Sequence, residues 1–226
     1  HSASGRYVVV FNGEIYNHFE LRSELAIIAF RGHSDTETLL AGFEAWGVEA
    51  TLNKTIGMFA IALWDTQTRT LSLARDRFGE KPLYYGWVNG AFVFGSELKA
   101  LRAYPCFSNS ISRESLALYV RFNYVPAPYS IYQSIFKLEP GCLLSISGEV
   151  TSAPDLPLRP PAVLGGLSLR RWWTLSETVT AGAQNPILDE AEAIYLLDQR
   201  LKDSLRLQSL ADVPLGCFLS GGIDSS

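Results

Sequence analysis

The chain has 226 residues, of which 47% are hydrophobic and 19% are charged, and its formal net charge is −4. This composition is typical of a folded globular protein and argues against disorder. The charge gives no reason to expect nucleic acid or an anionic membrane as a partner, and no stretch approaches the roughly 20 apolar residues of a membrane helix.

The apolar patterning predicts a strand, two helices and two further strands in the first third of the chain. These elements cover residues 6–12, 18–27, 36–46, 57–65 and 70–76. Ser34 and Glu37 form an S-x-x-E capping box ahead of the second helix, and Gly47 stands where that helix should stop.

The middle of the chain also predicts short strands and helices. Residues 83–88 and 91–96 flank Asn89-Gly90 and predict a hairpin with a type I′ turn. Residues 96–103 and 112–120 predict short helices, and residues 142–150 suggest another hairpin. Many antiparallel strands with a few helices between them indicate an α+β fold.

The composition of the sequence changes after residue 150. Residues 151–186 are rich in proline and glycine and predict an interdomain connection. Trp172 and Trp173 within it suit either an anchor on a domain surface or a core position. Residues 189–210 then predict an amphipathic helix, and VPLGCFL (213–219) a buried strand leading into a glycine turn, as in a nucleotide-binding α/β domain.

The glycine turn SGGIDSS (220–226) suits an anion. A strand that runs into Gly221-Gly222 and a helix start would present backbone N–H groups to a phosphate, with hydroxyl donors from the serines beside it. Asp224 could face a magnesium ion. A structural turn is the alternative, but SGGIDS resembles the S-G-G-x-D-S loop of the ATP pyrophosphatases and lacks the G-K-[ST] ending of a Walker loop.

The segment FNGEIYN (11–17) can carry a different chemistry. Asn12 and Gly13 can offer a side-chain amide and a backbone N–H to one point, as an oxyanion hole requires. Glu14 could pair with an ammonium group. The alternatives are a plain turn with a solvated acid at Glu14 and a helix N-terminal acid at Asp35.

Six segments taken together resemble one family, the glutamine-hydrolysing asparagine synthetases. The resemblance runs in the expected order from Gly5 to Ser226. It rests on FNGEIYN, RGHSDTE, GMFAIALWD, RDRFGEKPLYY, FGSELKAL and SGGIDSS.

The resemblance implies a two-domain enzyme. Residues 1–150 would be a class II glutamine amidotransferase domain, an αββα sandwich of the N-terminal-nucleophile hydrolase type. Residues 151–186 would connect it to the start of an α/β ATP-pyrophosphatase-type synthetase domain at 187–226. The implied substrates are glutamine, aspartate and ATP with magnesium, and the implied products are asparagine, glutamate, AMP and pyrophosphate. A cytoplasmic enzyme is expected from the free cysteines, and a homodimer is an open option.

The family pattern assigns roles to particular residues. Asn12 and Gly13 map onto the oxyanion hole, and Glu14 and Asp35 onto the groups that hold the α-amino group of glutamine. The ATP site maps onto Leu219, Ser220, Gly221, Gly222, Asp224 and Ser225, with Asp224 as the magnesium contact. Residues 75–85 match a family hallmark, for which we expect a structural and channel-lining role.

The family's nucleophile is an N-terminal cysteine whose own α-amino group acts as base. Cys106, Cys142 and Cys217 match no such context and show no metal pattern, so we expect three buried free thiols. We interpret both ends of the chain as cuts in a longer protein and expect the chain alone to be inactive. Three alternatives remain: an amidotransferase acting on a sugar, peptide or other carboxylate, a β-lactam-forming relative, and an inactive regulatory homologue.

Overall fold

A computed structural model describes residues 1–25, 29–148, 153–210 and 213–223. The chain divides into two units, residues 1–178 and 179–226. All the strands that the structure describes belong to the first unit, and its helices and antiparallel sheets confirm the predicted α+β class.

A six-stranded antiparallel sheet forms the centre of the first unit. Its strands are β1 (Tyr7–Ile15), β2 (Gly57–Asp65), β3 (Thr70–Arg75), β7 (Cys142–Ser147), β8 (Ala162–Leu164) and β9 (Leu167–Arg171). Their order across the sheet is β1-β2-β3-β7-β9-β8, so β1 and β8 are the edge strands.

A smaller sheet and short helices complete the first unit. The smaller sheet has the order β5-β4-β6 and consists of β4 (Tyr84–Val88), β5 (Ala91–Gly95) and β6 (Ile135–Lys137). The helices are α1 (His18–Glu24), α2 (Asp35–Trp46), α3 (Val48–Lys54), α4 (Leu98–Arg102) and α5 (Arg113–Phe122). A sixth helix, α6 (Leu175–Ala183), crosses the division between the two units.

Three buried clusters define the layers. The first packs α1, α2 and α3 on one face of the large sheet, with Phe43 and Phe59 at its centre. The second lies between the two sheets, where Leu73 and Leu144 meet Tyr85. The third joins the outer face of the small sheet to Leu101 of α4. The order helices, sheet, sheet, helix confirms the αββα sandwich that the resemblance implied.

The alternation of side chains in β1 places its residues on two faces. Tyr7, Val9, Phe11 and Ile15 pack towards the helices in the first cluster. Because successive side chains of a strand point to opposite faces, the side chains of Asn12 and Glu14 lie on the face of the small sheet.

The segment predicted as an interdomain connection contributes to the large sheet. β8 and β9 lie within residues 151–186, and β9 pairs with β7 from Cys142↔Arg171 to Ile146↔Leu167. Trp172 is a core residue that stacks on Phe59. Strand β9 pairs with distant β7, whereas β8 pairs with β9 across the two-residue turn Gly165-Gly166. Both strands are short and follow Pro160-Pro161, so their own sequence pattern is weak.

The hairpin suggested for residues 142–150 was wrong in the part that the structure describes. That part is the single strand β7, which pairs with β3 on one side and β9 on the other. Gly148, with φ 71°, follows the end of the strand. A strand with two long-range partners needs no local turn.

The hallmark segment 75–85 wraps around a buried carboxylate. Asp76 is 1% exposed, and its two oxygens accept four backbone N–H bonds, from Phe59, Phe78, Glu80 and Lys81, at 2.9–3.1 Å. A buried carboxylate is stable only when such donors surround it. The Asp76 carboxylate therefore fixes the loop to β2.

The two arginines of the same segment bond to main-chain carbonyls. Arg75 donates to the carbonyls of Gly79, Lys81 and Leu138, and Arg77 donates to those of Asn53 and Thr55. These contacts give the segment a structural role.

The second unit contains one long helix, α7 (Glu190–Gln208), whose N-cap Asp189 accepts from the Glu192 N–H at 2.8 Å. The predicted strand at 213–219 was wrong, since residues 213–223 form no strand and are exposed. A strand needs a neighbour for its backbone hydrogen bonds, and the described part of this unit supplies none.

Candidate functional site

The predicted oxyanion-hole residues lie on an exposed sheet edge. Tyr16 N–H bonds to the Ile56 carbonyl and Thr66 N–H to the Arg6 carbonyl, which fixes the alternation of the β1–β2 ladder. In that alternation Asn12 is hydrogen-bonded to β2, whereas Gly13, opposite Phe59, points its N–H away from β2. Since β1 is an edge strand, the Gly13 N–H faces the open edge.

Gly13 is required by the close approach of β2. A Cβ at this position would lie 2.1 Å from the Met58 carbonyl oxygen and 2.7 Å from Phe59 Cα, and both are main-chain atoms. Phe59 is itself held on its other side, because its N–H and carbonyl bond to Asp76. Any side chain at Gly13 would push the two strands apart.

Asn12 places its carboxamide on the face of the small sheet. The side chain is exposed, and its Nδ2 donates to Ser96 Oγ at 2.9 Å. An amide nitrogen carries two hydrogens. The contact therefore occupies one donor of Asn12 and leaves the second for a ligand.

Asp35 reaches the same edge from the helix layer. It is the first residue of α2, after the N-cap Ser34, whose side chain accepts from the Glu37 N–H. The Asp35 carboxylate accepts from Ile15 N–H at 3.0 Å and from Thr36 N–H at 2.7 Å. The structure thus brings Asp35 to β1, two residues beyond Gly13.

Glu14 and Asp35 act electrostatically on the same neighbour, His18. Burial lowers the pKa of His18, and the charges of Asp35 and Glu14 oppose that shift. The Nδ1 atom of His18 is buried, with no hydrogen-bond partner among the described residues. His18 was not singled out from the sequence, where it stands as an isolated histidine after a strand.

Arg22 is a second residue that the sequence did not reveal. Its guanidinium donates to Thr38 Oγ1 and to the carbonyls of Gly32 and Ser34, at 2.8–2.9 Å. It therefore fixes the loop that leads into α2 and the acid at Asp35. No local pattern links Arg22 to residues that lie 10–16 positions further along the chain.

In the described part of the first unit, neither Cys106 nor Cys142 has a hydrogen bond to this edge. Cys142 is fully buried, and burial raises the pKa of its thiol to about 11. The carbonyl of Cys106 accepts from Asn89, at the turn of the β4–β5 hairpin, and Cys217 belongs to the second unit. The expectation of three buried thiols was wrong, since Cys106 and Cys217 are exposed.

The structure describes only part of the predicted ATP loop. Leu219 is 75% exposed, and Gly221 has φ +75°, a conformation that favours glycine. Asp224 and Ser225 lie outside the described residues. Within the described ranges, no group of three or more His, Cys, Asp or Glu residues could hold a metal ion.

Two family models match the chain. The chain belongs to the glutamine amidotransferase domain family, whose model matches residues 1–154. The model of the asparagine synthase family matches residues 196–226.

Similar proteins are named as glutamine-hydrolyzing asparagine synthetases. A Mycobacterium tuberculosis protein named "Putative asparagine synthetase [glutamine-hydrolyzing]" is 38% identical over 99% of this chain. Asparagine synthetase [glutamine-hydrolyzing] 1 of Bacillus subtilis is 36% identical over 97% of it. The chain spans 32% of the length of each. These findings confirm the resemblance found in the sequence.

The alignment with a solved glutamine phosphoribosylpyrophosphate amidotransferase from B. subtilis covers 76% of this chain and 30% of the amidotransferase chain. The identity is 21% and the TM-score is 0.47. In the part of the chain that the structure describes, no helix is long and apolar enough to cross a membrane.

Proposed function

We propose that the full-length protein containing this chain is a glutamine-hydrolysing asparagine synthetase. Its amidotransferase domain splits glutamine into glutamate and ammonia. The ammonia then attacks an aspartate side chain that ATP has converted into an acyl adenylate, and asparagine and AMP are released after pyrophosphate. The two family matches and the names of the relatives support this reaction.

One observation carries the glutaminase half of the proposal: the Gly13 N–H faces an open sheet edge two residues from the Asp35 contact at Ile15. Two residues of an antiparallel strand span about 6.8 Å. Glutamine separates its amide carbon from its α-nitrogen by four bonds, about 5 Å when extended. An extended glutamine can therefore place its amide at Gly13 and its ammonium group near Asp35.

The chemistry of each end follows from the groups present. When a nucleophile adds to the amide carbon, the carbonyl oxygen gains negative charge, and the Gly13 N–H and the Asn12 amide donate to it. Collapse of this intermediate expels ammonia and leaves an acyl-enzyme for water to hydrolyse. The resemblance assigns the nucleophile to an N-terminal cysteine, which none of the chain's three cysteines matches.

The carboxylates of Glu14 and Asp35 provide the charge for the other end. The Asp35 carboxylate accepts from the N–H of Ile15, the residue after Glu14, so the two acids meet at the same part of β1. Burial lowers the pKa of His18 and so disfavours its charged form beside the two acids. An α-ammonium group would pair with them through charge-assisted hydrogen bonds.

For the second unit we propose ATP binding by Leu219, Ser220, Gly221, Gly222, Asp224 and Ser225, with Asp224 facing magnesium. The positive φ of Gly221 favours such a turn. Magnesium would neutralise phosphate charge. No step of the proposed glutamine hydrolysis passes through the metal.

The test is Asn12→Ala in the full-length protein, assayed with glutamine and separately with ammonia. We expect glutamine-dependent asparagine formation to fall about 10²–10³-fold, because one oxyanion donor is lost. Ammonia-dependent formation should stay near wild type, since it bypasses that step. Equal losses in the two assays would refute the glutaminase role of Asn12.

A further inference from the structure

The hydrogen bond between Asn12 and Ser96 joins the edge strands of the two sheets. Asn12 lies in β1, and Ser96 directly follows β5, the edge strand of the small sheet. The residues are 84 positions apart, so the fold alone brings them together. We propose that Ser96 is a positioning residue for glutamine hydrolysis, which orients the Asn12 carboxamide in the oxyanion hole. This inference rests on the proposed function.

Ser96 has a fixed place in the fold. It lies between the last residue of β5, Gly95, which pairs with Tyr84 of β4, and Glu97, the N-cap of α4. The helix is anchored by Leu101, which is buried against the small sheet. A Cβ on Gly95 would lie 3.0 Å from the Leu101 side chain, so strand and helix pack closely around Ser96.

Asn12 has no comparable support of its own. Its backbone is held in the β1–β2 ladder, but its side chain is exposed. An exposed carboxamide samples several rotamers, and each loss of orientation reduces the fraction of molecules able to donate to a developing oxyanion. The bond to Ser96 engages one N–H of the amide and restricts its rotation.

The two oxyanion donors therefore have different kinds of support. The Gly13 N–H is fixed by the backbone of β1, which Phe59 and Asp76 hold in place. The side-chain N–H of Asn12 is fixed through Ser96, a residue of the segment FGSELKAL. That segment contributed to the family resemblance without a role of its own, and the contact supplies one.

The inference predicts a loss in kcat and not in glutamine binding. In the full-length protein, Ser96→Ala should lower kcat for glutamine hydrolysis about 10- to 100-fold, because misplaced catalytic groups cost rates of that order. The KM for glutamine and the ammonia-dependent activity should stay near wild type. Ser96→Thr, which keeps the hydroxyl group, should retain most of the activity.

A double variant tests whether Ser96 acts through Asn12. If it does, Asn12→Ala/Ser96→Ala should be no slower than Asn12→Ala, since interacting residues are not additive. Ser108→Ala is the matched control. The Ser108 hydroxyl also contacts an asparagine side chain, that of Asn89 in the turn between β4 and β5. We expect it to leave glutamine hydrolysis unchanged.

Suppose that Asn12→Ala is impaired with glutamine and not with ammonia. Either of two results would then overturn the inference alone: a wild-type kcat in Ser96→Ala, or losses of kcat that add in the double variant. A different result would overturn the proposed function, and the inference with it. That result is an Asn12→Ala variant with unimpaired glutamine hydrolysis. The two failures are therefore distinguishable in one set of proteins.

Discussion

Arg6 and Asp65 pair at the point where the edge strand β1 begins. The Arg6 guanidinium donates to Asp65 through Nε at 3.1 and 3.2 Å and through a terminal nitrogen at 2.7 Å. Asp65 also accepts from Gln67 N–H at 2.9 Å. These contacts, with Arg6 foremost, lower the pKa of Asp65 to about 2. The pair ties the start of β1 to the end of β2.

The Asp65 pair predicts an acid-dependent loss of stability. Its contribution is fully present above the pKa of an unfolded aspartate, about 3.9. It is lost as the pH falls through the folded value of about 2, because the protonated acid no longer pairs with Arg6. In urea unfolding, wild type should exceed Asp65→Asn in stability at pH 6, and the gap should close towards pH 2.

The control for this measurement is Asp155→Asn, a substitution at an exposed acid. Its unfolding midpoint should stay close to that of wild type at both pH values. A gap between wild type and Asp65→Asn that is the same at pH 6 and pH 2 would show that the Asp65 carboxylate contributes through its shape and not its charge.

The sequence predicted some residues of the candidate site but not the contacts that they make. Asn12, Gly13 and Glu14 stand together in one segment, so a local pattern was enough to propose them. Their hydrogen-bond partners are remote: Ser96, which accepts from Asn12, is 84 residues away, and Asp35 reaches the Ile15 N–H of β1 across 20 residues. Their contacts depend on the packing of layers, which no local pattern encodes.

At the level of elements, the loop after β3 depends on the Asp76 carboxylate. Each of its oxygens accepts two backbone N–H bonds. Asp76→Asn replaces one oxygen with an NH₂ group that faces two donors. We expect a loss of about 2–6 kcal/mol in the free energy of unfolding, since each of the two buried donors left unsatisfied costs about 1–3 kcal/mol. Urea unfolding measures this loss.

Asp189→Asn is the comparison for Asp76→Asn. Asp189 is also an acid that accepts a backbone N–H, but it does so on the exposed start of α7. Its substitution should cost less than about 1 kcal/mol, since asparagine is an equally good N-cap. If Asp76→Asn costs no more than Asp189→Asn, then the four bonds to Asp76 contribute little to stability.

The sequence predicted elements well where the pattern was local. The β4–β5 hairpin turns at Asn89-Gly90, and α2 begins after Ser34 and ends at Gly47. The capping box at its start is only half formed, since Glu37 accepts instead from the N–H groups of Arg31 and Gly32. Strands β8 and β9 were missed because both are short and β9 depends on pairing with distant β7, although Gly165-Gly166 between them is a local hairpin signal.

For the whole molecule, the αββα order followed from the family resemblance and was confirmed by the three buried clusters. The extent of the first unit did not follow from the sequence. It continues to residue 178 because β9 completes the sheet and Trp172 completes the core. A proline- and glycine-rich stretch can thus belong to a domain when strands elsewhere supply its hydrogen bonds.

We propose that two residues at the edge of β1 have separate roles: Asn12 stabilises the developing oxyanion, and Asp35 binds the substrate ammonium group. The most direct test compares Asp35→Asn with Asn12→Ala in steady-state glutamine hydrolysis by the full-length protein. Asparagine keeps the size of Asp35 and an oxygen that can accept from Ile15 N–H. The NH₂ group would then face the Thr36 N–H, and one unsatisfied donor costs about 1–3 kcal/mol, which is less than the stability of a typical domain, so folding should survive.

We expect Asp35→Asn to raise the KM for glutamine at least about tenfold with little change in kcat, because a charge-assisted bond to the ammonium group is lost. Asn12→Ala should instead lower kcat with little change in the KM for glutamine. An Asp35→Asn variant with the wild-type KM, or equal falls in kcat for both variants, would contradict this division of work along β1.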